Sequence, residues 1–276
     1  MYKRQSVLSL GTTGESPSVS NRDSRELVRI VSNALKGREK VYACLTGNSL
    51  YDNIENAKAY MDAGADVIVS ILPNYYKIDP EQMKAYYWKL ADSLKFPLMI
   101  YNIPAVTHMS IPLETVLELS VHPNILGLKD SERDEQRIIQ GIKMFRDNED
   151  FSFFVGYAAM SATSLMEGAD GIVPSTGNLV PAMFSELYNH AISGNHVEAL
   201  RLQKETDEIA GIYQKGRILG ESLQALKVMM SEMKLCEPHA IPPLQALDLK
   251  SEEAVREATR QFLKKYKLKI YSEVTP

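Results

Sequence analysis

Short apolar runs alternate with longer stretches of helical spacing along most of the chain. The runs are VLSLG (7–11), KVYACLT (40–46), DVIVSIL (66–72), LMIYN (98–102), ILGLK (125–129), SFFVG (152–156) and GIVPS (171–175). Between them lie helical patterns such as DPEQMKAYYWKLADSL (79–94) and DEQRIIQGIKMFRDN (134–148). This alternation predicts a parallel sheet with crossover helices. Gly37 in ALKG and Gly64 in MDAGAD fall where a helix should close just ahead of the next strand.

From about residue 195 the strands stop. NHVEALRLQKETDEIAGIYQK, GESLQALKVMMSEMKL and SEEAVREATRQFLKKYKL are amphipathic helices, and PHAIPP interrupts the chain between the last two. The division expected is therefore a β/α portion over 6–194 and a helical extension over 195–276. Both a doubly wound sheet and a barrel produce the strand–helix rhythm. The unusual polar residues decide between them, because they gather after every strand: GTTGES, TGNS, PNYY, YNIP, KDS, GY and STGN. Several strand tips contributing at once is the habit of a (β/α)8 TIM barrel. A doubly wound sheet concentrates function at one switch point, and GTTGES is not the glycine-rich phosphate loop of that fold. The barrel is preferred. Such a barrel closes with eight strands, so a first β/α unit is expected ahead of Ser6.

Composition narrows the function classes. The chain has 276 residues, 45% hydrophobic and 24% charged, with a net charge of −4. That balance fits an ordinary globular protein and argues against a general nucleic-acid binder. A basic run near the end, Lys264 to Lys269, reads as a solvated helix terminus. Cys44 and Cys236 are the two cysteines; their separation excludes a cysteine zinc site and fits a reducing compartment. No apolar run has the length of a membrane span, and no signal peptide is visible. The expectation is a cytoplasmic protein with no membrane or nucleic-acid partner.

Lys129 draws attention because it ends an apolar strand with no polar residue before it. Alternation places Ile125, Gly127 and Lys129 on one face, with Gly127 leaving space near the lysine. A lysine at a strand end is ordinarily surface decoration. An ammonium facing a barrel interior, however, is desolvated, which favours the neutral amine that attacks carbonyls. Tyr101 shares a face with Met99 and is either a core tyrosine or a proton relay beside the lysine. GTTGES offers hydroxyls and backbone N–H groups that suit a carboxylate; its alternative is a tight turn with Ser16 or Ser18 capping the next helix. STGN is a polar lip or a turn before the helix from Pro181. The DSERDE acids are expected to open a helix, and the five histidines show no metal spacing. A lysine, a phenol and a carboxylate cradle on separate strand tips are together what a Schiff-base aldolase for 2-oxo acids requires.

GTTGES, YNIP and GLKDS, in this order and spacing, closely resemble the dihydrodipicolinate synthase / N-acetylneuraminate lyase family, over essentially the whole chain from Ser6. The resemblance implies a barrel with a C-terminal helical extension, a homotetramer built as a dimer of dimers, a pyruvate-type Schiff base and no cofactor. It implies Lys129 as the Schiff-base lysine and Tyr101 as the acid–base phenol. Thr12 and Thr13 would be the carboxylate-binding pair, with Thr12 also relaying protons. In PNYYK, Tyr75 (or its neighbour Tyr76) would reach into an adjacent subunit's site. Gly156 and Ser175 would line the far side of the pocket. The resemblance also implies a strand, a helix and part of a second strand ahead of GTTGES. The opening MYKRQ matches the translation of the tail of a widely used transposon library adapter, so a truncated reading of a longer gene is expected.

Two departures bear on substrate. The synthases usually carry an arginine two residues after the proline of YNIP, and here that residue is Val106; an apolar side chain cannot replace a bidentate guanidinium. Sialic-acid lyases often place an acid after the GY tip, where this chain has Ala158 and Ala159. PNYYK is most similar to the 2-keto-3-deoxygluconate aldolase branch. The expected partners are thus pyruvate or another 2-oxo acid and an aldehyde. The alternatives are 4-hydroxy-tetrahydrodipicolinate synthase, a Schiff-base dehydratase, and a non-catalytic or truncated barrel.

Overall fold

The computed structural model describes residues 6–268; MYKRQ lies outside them. Among the described residues, seven parallel strands form one sheet in strict sequence order. They are β1 (Val7–Ser9), β2 (Val41–Leu45), β3 (Val67–Ile71), β4 (Leu98–Asn102), β5 (Ile125–Asp130), β6 (Ser152–Val155) and β7 (Gly171–Ile172). The order makes β1 and β7 the two edges. All seven coincide with the apolar runs of the sequence, since parallel strands largely covered by crossover helices are mostly apolar.

The intervening helices are α1 (Asn21–Leu35), α2 (Leu50–Asp62), α3 (Pro80–Leu94), α4 (Pro104–Thr107), α5 (Leu113–Leu119), α6 (Glu135–Phe145) and α7 (Ser161–Met166). Their ends follow local chemistry. Asp79 and Gln82 form a reciprocal capping box ahead of α3, with Pro80 in its first turn. Asp134 accepts the Arg137 N–H at the start of α6. Ser20, rather than Ser16 or Ser18, caps α1 by accepting from Asp23 N–H; Ser16 donates instead to Thr46 Oγ1 at 3.3 Å. Gly37 and Gly64 adopt positive φ of 71° and 99° just beyond α1 and α2, the left-handed conformation expected at a helix stop.

The remaining helices are α8 (Pro181–Ile192), α9 (His196–Gln214), α10 (Leu219–Glu232) and α11 (Leu249–Tyr266). The chain divides into two compact units. One runs to Ser175 and takes in Ala191–Gly194; the other holds Thr176–His190 and the chain from Asn195 onward. Within the second, α9, α10 and α11 pack on one another, and Glu232 of α10 pairs with Arg256 and Arg260 of α11. Lys264 and Lys265 occupy the last turn of α11, where cations meet the negative end of the helix dipole. Among the described residues no helix is long and apolar enough to cross a membrane.

Within the first unit the sheet has a consistent inner face. Cross-strand partners share a face, so Cys44, Val69, Met99 and Gly127 form one layer, and Ile71, Tyr101, Lys129 and Phe154 the layer above it. The expected alignment of Ile125 with this face does not hold. The register shifts between Leu98 and Met99, so Ile125 pairs with Leu98 while Gly127 pairs with Met99. Leu126 is the extra residue, and strict alternation does not pass through such an irregularity.

Candidate active site

The ladder sets Tyr101 of β4 directly opposite Lys129 of β5. Both are buried, 3% and 6% exposed. Lys129 Nζ lies 3.5 Å from the centroid of the Tyr101 ring. The third member arrives from β1: after Leu10 at φ 59°, the chain turns through a 3-10 segment, Thr12–Gly14. That turn brings Thr12 Oγ1 to 3.3 Å from the Tyr101 hydroxyl, across 89 residues of sequence. Thr13 follows in the same half-buried turn. Lysine, phenol and hydroxyl from three strand tips are therefore one cluster.

Gly127 is required for a reason other than open space. A Cβ there would stand 2.5 Å from the Ser152 carbonyl oxygen and 3.1 Å from Met99 Cε. The glycine lets β6 approach closely, and Met99 fills the room that the sequence left for the lysine. Gly156 is constrained in the same way: its N–H donates to the Asp130 carbonyl at 2.6 Å, and a Cβ would collide with Ser131 Oγ. Cys44 sits in the layer beneath Lys129. Burial pushes its thiol up to about 12, against the opposing pull of the Lys129 charge, so it is an inert floor rather than a nucleophile.

Tyr75 stands apart from the cluster. It is 78% exposed, and its ring packs edge-on against Tyr76 at 4.9 Å. The loop that presents both is held by Asn48, whose Oδ1 accepts from Asn74 N–H at 2.8 Å and Tyr75 N–H at 2.9 Å. Ser175 opens a 3-10 turn after β7 and is partly buried. Among the described residues no group of three or more His, Cys, Asp or Glu side chains could hold a metal ion.

The DSERDE acids do not all open a helix. Only Asp134 caps α6. Asp130 ends β5 with no exposure and pairs with Arg137, whose Nε lies 2.9 Å from Asp130 Oδ2. Glu132 lies 3.2 Å from the same nitrogen. Arg137 falls in the first turn of α6, which points it back at the strand tip. Burial pushes the Asp130 carboxyl up, and Arg137 pulls against it. Asn102, Asp130 and Arg137 were not distinguishable as site residues from sequence. The one signal for them was adjacency, since Asn102 follows Tyr101 and Asp130 follows Lys129.

The chain matches the model of the dihydrodipicolinate synthetase family over residues 3–262. It is 30% identical over 255 residues to a 4-hydroxy-tetrahydrodipicolinate synthase of Aromatoleum aromaticum, covering 92% of this chain and 85% of the relative. The structure matches dihydrodipicolinate synthase from Bacteroides thetaiotaomicron with TM-score 0.87 at 28% identity, covering 94% and 87% of the two chains. It also matches the dihydrodipicolinate synthase of Acinetobacter baumannii complexed with pyruvate, with TM-score 0.84 at 26% identity and coverage of 94% and 87%. The family model spans the sheet, the helices around it and the whole Thr12–Tyr101–Lys129 cluster. The chain belongs to the dihydrodipicolinate synthetase family and is a lyase of that family.

Proposed function

We propose that this protein is a cytoplasmic carbon–carbon lyase that forms an imine between Lys129 and pyruvate or another 2-oxo acid. The observation that carries the proposal is the cluster itself, with Lys129 Nζ 3.5 Å from the Tyr101 ring centroid and the Tyr101 hydroxyl 3.3 Å from Thr12 Oγ1. The neutral amine attacks the C2 ketone, Tyr101 protonates the resulting hydroxyl, and water leaves to give an iminium. With a 4-hydroxy-2-oxo acid, the Tyr101 phenolate takes the C4 hydroxyl proton and the C3–C4 bond breaks. Its electron pair enters the iminium, giving an enamine, and the aldehyde departs. Protonation at C3 and hydrolysis release pyruvate and the free lysine. The iminium is the electron sink, so these steps call for no cofactor.

Thr12 relays protons to and from Tyr101, and Thr13 with the backbone N–H groups of its turn holds the substrate carboxylate. Gly156 and Ser175 line the far side. Tyr75, exposed on its own chain, completes the relay in a neighbouring subunit of a homotetramer.

For the substrate we favour a 2-keto-3-deoxy sugar acid. The side chain of Val106 packs against the core and supplies no cation for a second carboxylate. The named relatives favour the other reading, condensation of pyruvate with aspartate semialdehyde by a synthase. Coupled detection of pyruvate release from 2-keto-3-deoxygluconate, beside condensation with aspartate semialdehyde, separates the two. Pyruvate release alone is expected. Condensation alone would make the protein a synthase, and loss of water without pyruvate release would make it a dehydratase.

A further inference from the structure

Behind the tips of β4 and β5 lies a polar cluster that the chemistry above does not use. Asn102 and Asp130 are the cross-strand pair that follows Tyr101 and Lys129, and alternation turns them to the opposite face of the sheet. Asn102 Nδ2 donates to Asp130 Oδ1 at 2.9 Å and to Glu132 Oε2 at 3.0 Å. Its Oδ1 accepts from Ile111 N–H at 3.1 Å. Asp130 Oδ1 also accepts from Glu132 N–H at 2.9 Å. Arg137 bridges Asp130 to the Ile111 carbonyl, at 2.7 Å from the latter. The Ser110 hydroxyl donates to Glu132 Oε2 at 2.5 Å. The tips of two strands, the segment 110–111 and the first turn of α6 thus meet in one network.

A satisfied buried network fixes geometry more sharply than apolar packing, and a half-satisfied one is costly. Sharp geometry is needed at this place. Tyr101 and Lys129 face each other across β4 and β5, with Nζ 3.5 Å from the ring centroid, so a small slide of β4 against β5 would part them. The ladder beneath pairs β4 with β5 up to Asn102 and Asp130, but backbone pairing does not tie the strand tips to the segment 110–111 and α6. A clamp directly behind the catalytic pair does.

We propose that Asn102, Asp130, Glu132 and Arg137 are positioning residues that lock the tips of β4 and β5, holding Lys129 and Tyr101 where proton transfer requires them. The proposal rests on the Schiff-base reading of the site. It predicts damage to the rates of the proton-transfer steps rather than to the amount of adduct finally trapped. The test compares the unsubstituted chain with Asp130→Asn, Glu132→Gln and Asp130→Asn/Arg137→Gln. Two readouts are taken with pyruvate: borohydride trapping on Lys129, and exchange of the methyl protons for deuterium, which needs the enamine.

Exchange is expected to fall about 100-fold in Asp130→Asn and about 10-fold in Glu132→Gln, with KM for pyruvate and the trapping end point unchanged. The double variant should be no worse than Asp130→Asn, since the two residues act as one unit. Folded Glu132→Gln exchanging at the parental rate would overturn the proposal, and it decides the matter if Asp130→Asn does not fold. Equal loss of trapping and exchange in a folded Asp130→Asn protein would also overturn it, reducing the network to a scaffold. An unsubstituted chain that forms no adduct gives a distinct result, because it removes the Schiff-base reading itself.

Discussion

At the scale of single residues, the account turns on groups whose surroundings define their chemistry. Tyr101→Phe removes the hydroxyl that meets Thr12 but leaves the ring over which Lys129 lies. It should lower turnover by about 10²–10⁴-fold while reductive trapping on Lys129 survives, a contrast visible by comparing steady-state rates with adduct mass. The two thiols should separate just as clearly. Cys44 is buried with its thiol pushed up to about 12, and Cys236 is exposed. Iodoacetamide at neutral pH should therefore alkylate Cys236 in the folded protein and Cys44 only after denaturation, as peptide mass spectrometry would show. The shared face and strand-tip positions of Lys129 and Tyr101 were legible in the sequence through strand parity, whereas Thr12 was singled out by the family resemblance of GTTGES. Asn102 and Asp130 were not, since a polar residue at a strand end looks solvent-facing until the 110–111 segment and Arg137 are seen to cover it.

At the scale of elements, strands were read nearly to the residue, because an apolar run ending in a polar tip is an unmistakable local signal. Register was harder. The shift between Leu98 and Met99 depends on β4 and β5 together, and no property of either strand alone encodes it. The same limit explains Gly127, which sequence parity treats as a gap and which is in fact a close approach of β6. Gly127→Ala should cost about 1–3 kcal/mol in urea denaturation, because the clash is with backbone that cannot rotate away. In the helical unit, burial alone would raise the Glu232 carboxyl, but hydrogen bonds from Arg260 and Arg256 outweigh it and hold it below the ordinary value of 4.5. A depressed folded value stabilises the fold above 4.5 and loses that contribution as pH falls through the depressed value. Denaturation measured between neutral pH and about pH 3 should show Glu232→Gln less stable at neutrality and less sensitive to acid.

At the scale of the whole molecule, the family is shown, while the proposed substrate depends on a few side chains. The fold is shared with relatives named as synthases, and the proposed choice of a sugar acid turns on side chains such as Val106, which packs against the core. The proposed imine chemistry rests on strand tips and the proposed choice of aldehyde on loops, so a likeness of fold bears more directly on the first than on the second. The most direct test of the central claim is incubation with pyruvate and borohydride, followed by peptide mass spectrometry. The account predicts one reduced pyruvate adduct, on Lys129, absent from Lys129→Ala. An adduct spread over surface lysines, or none in a chain that circular dichroism shows to be folded, would contradict it.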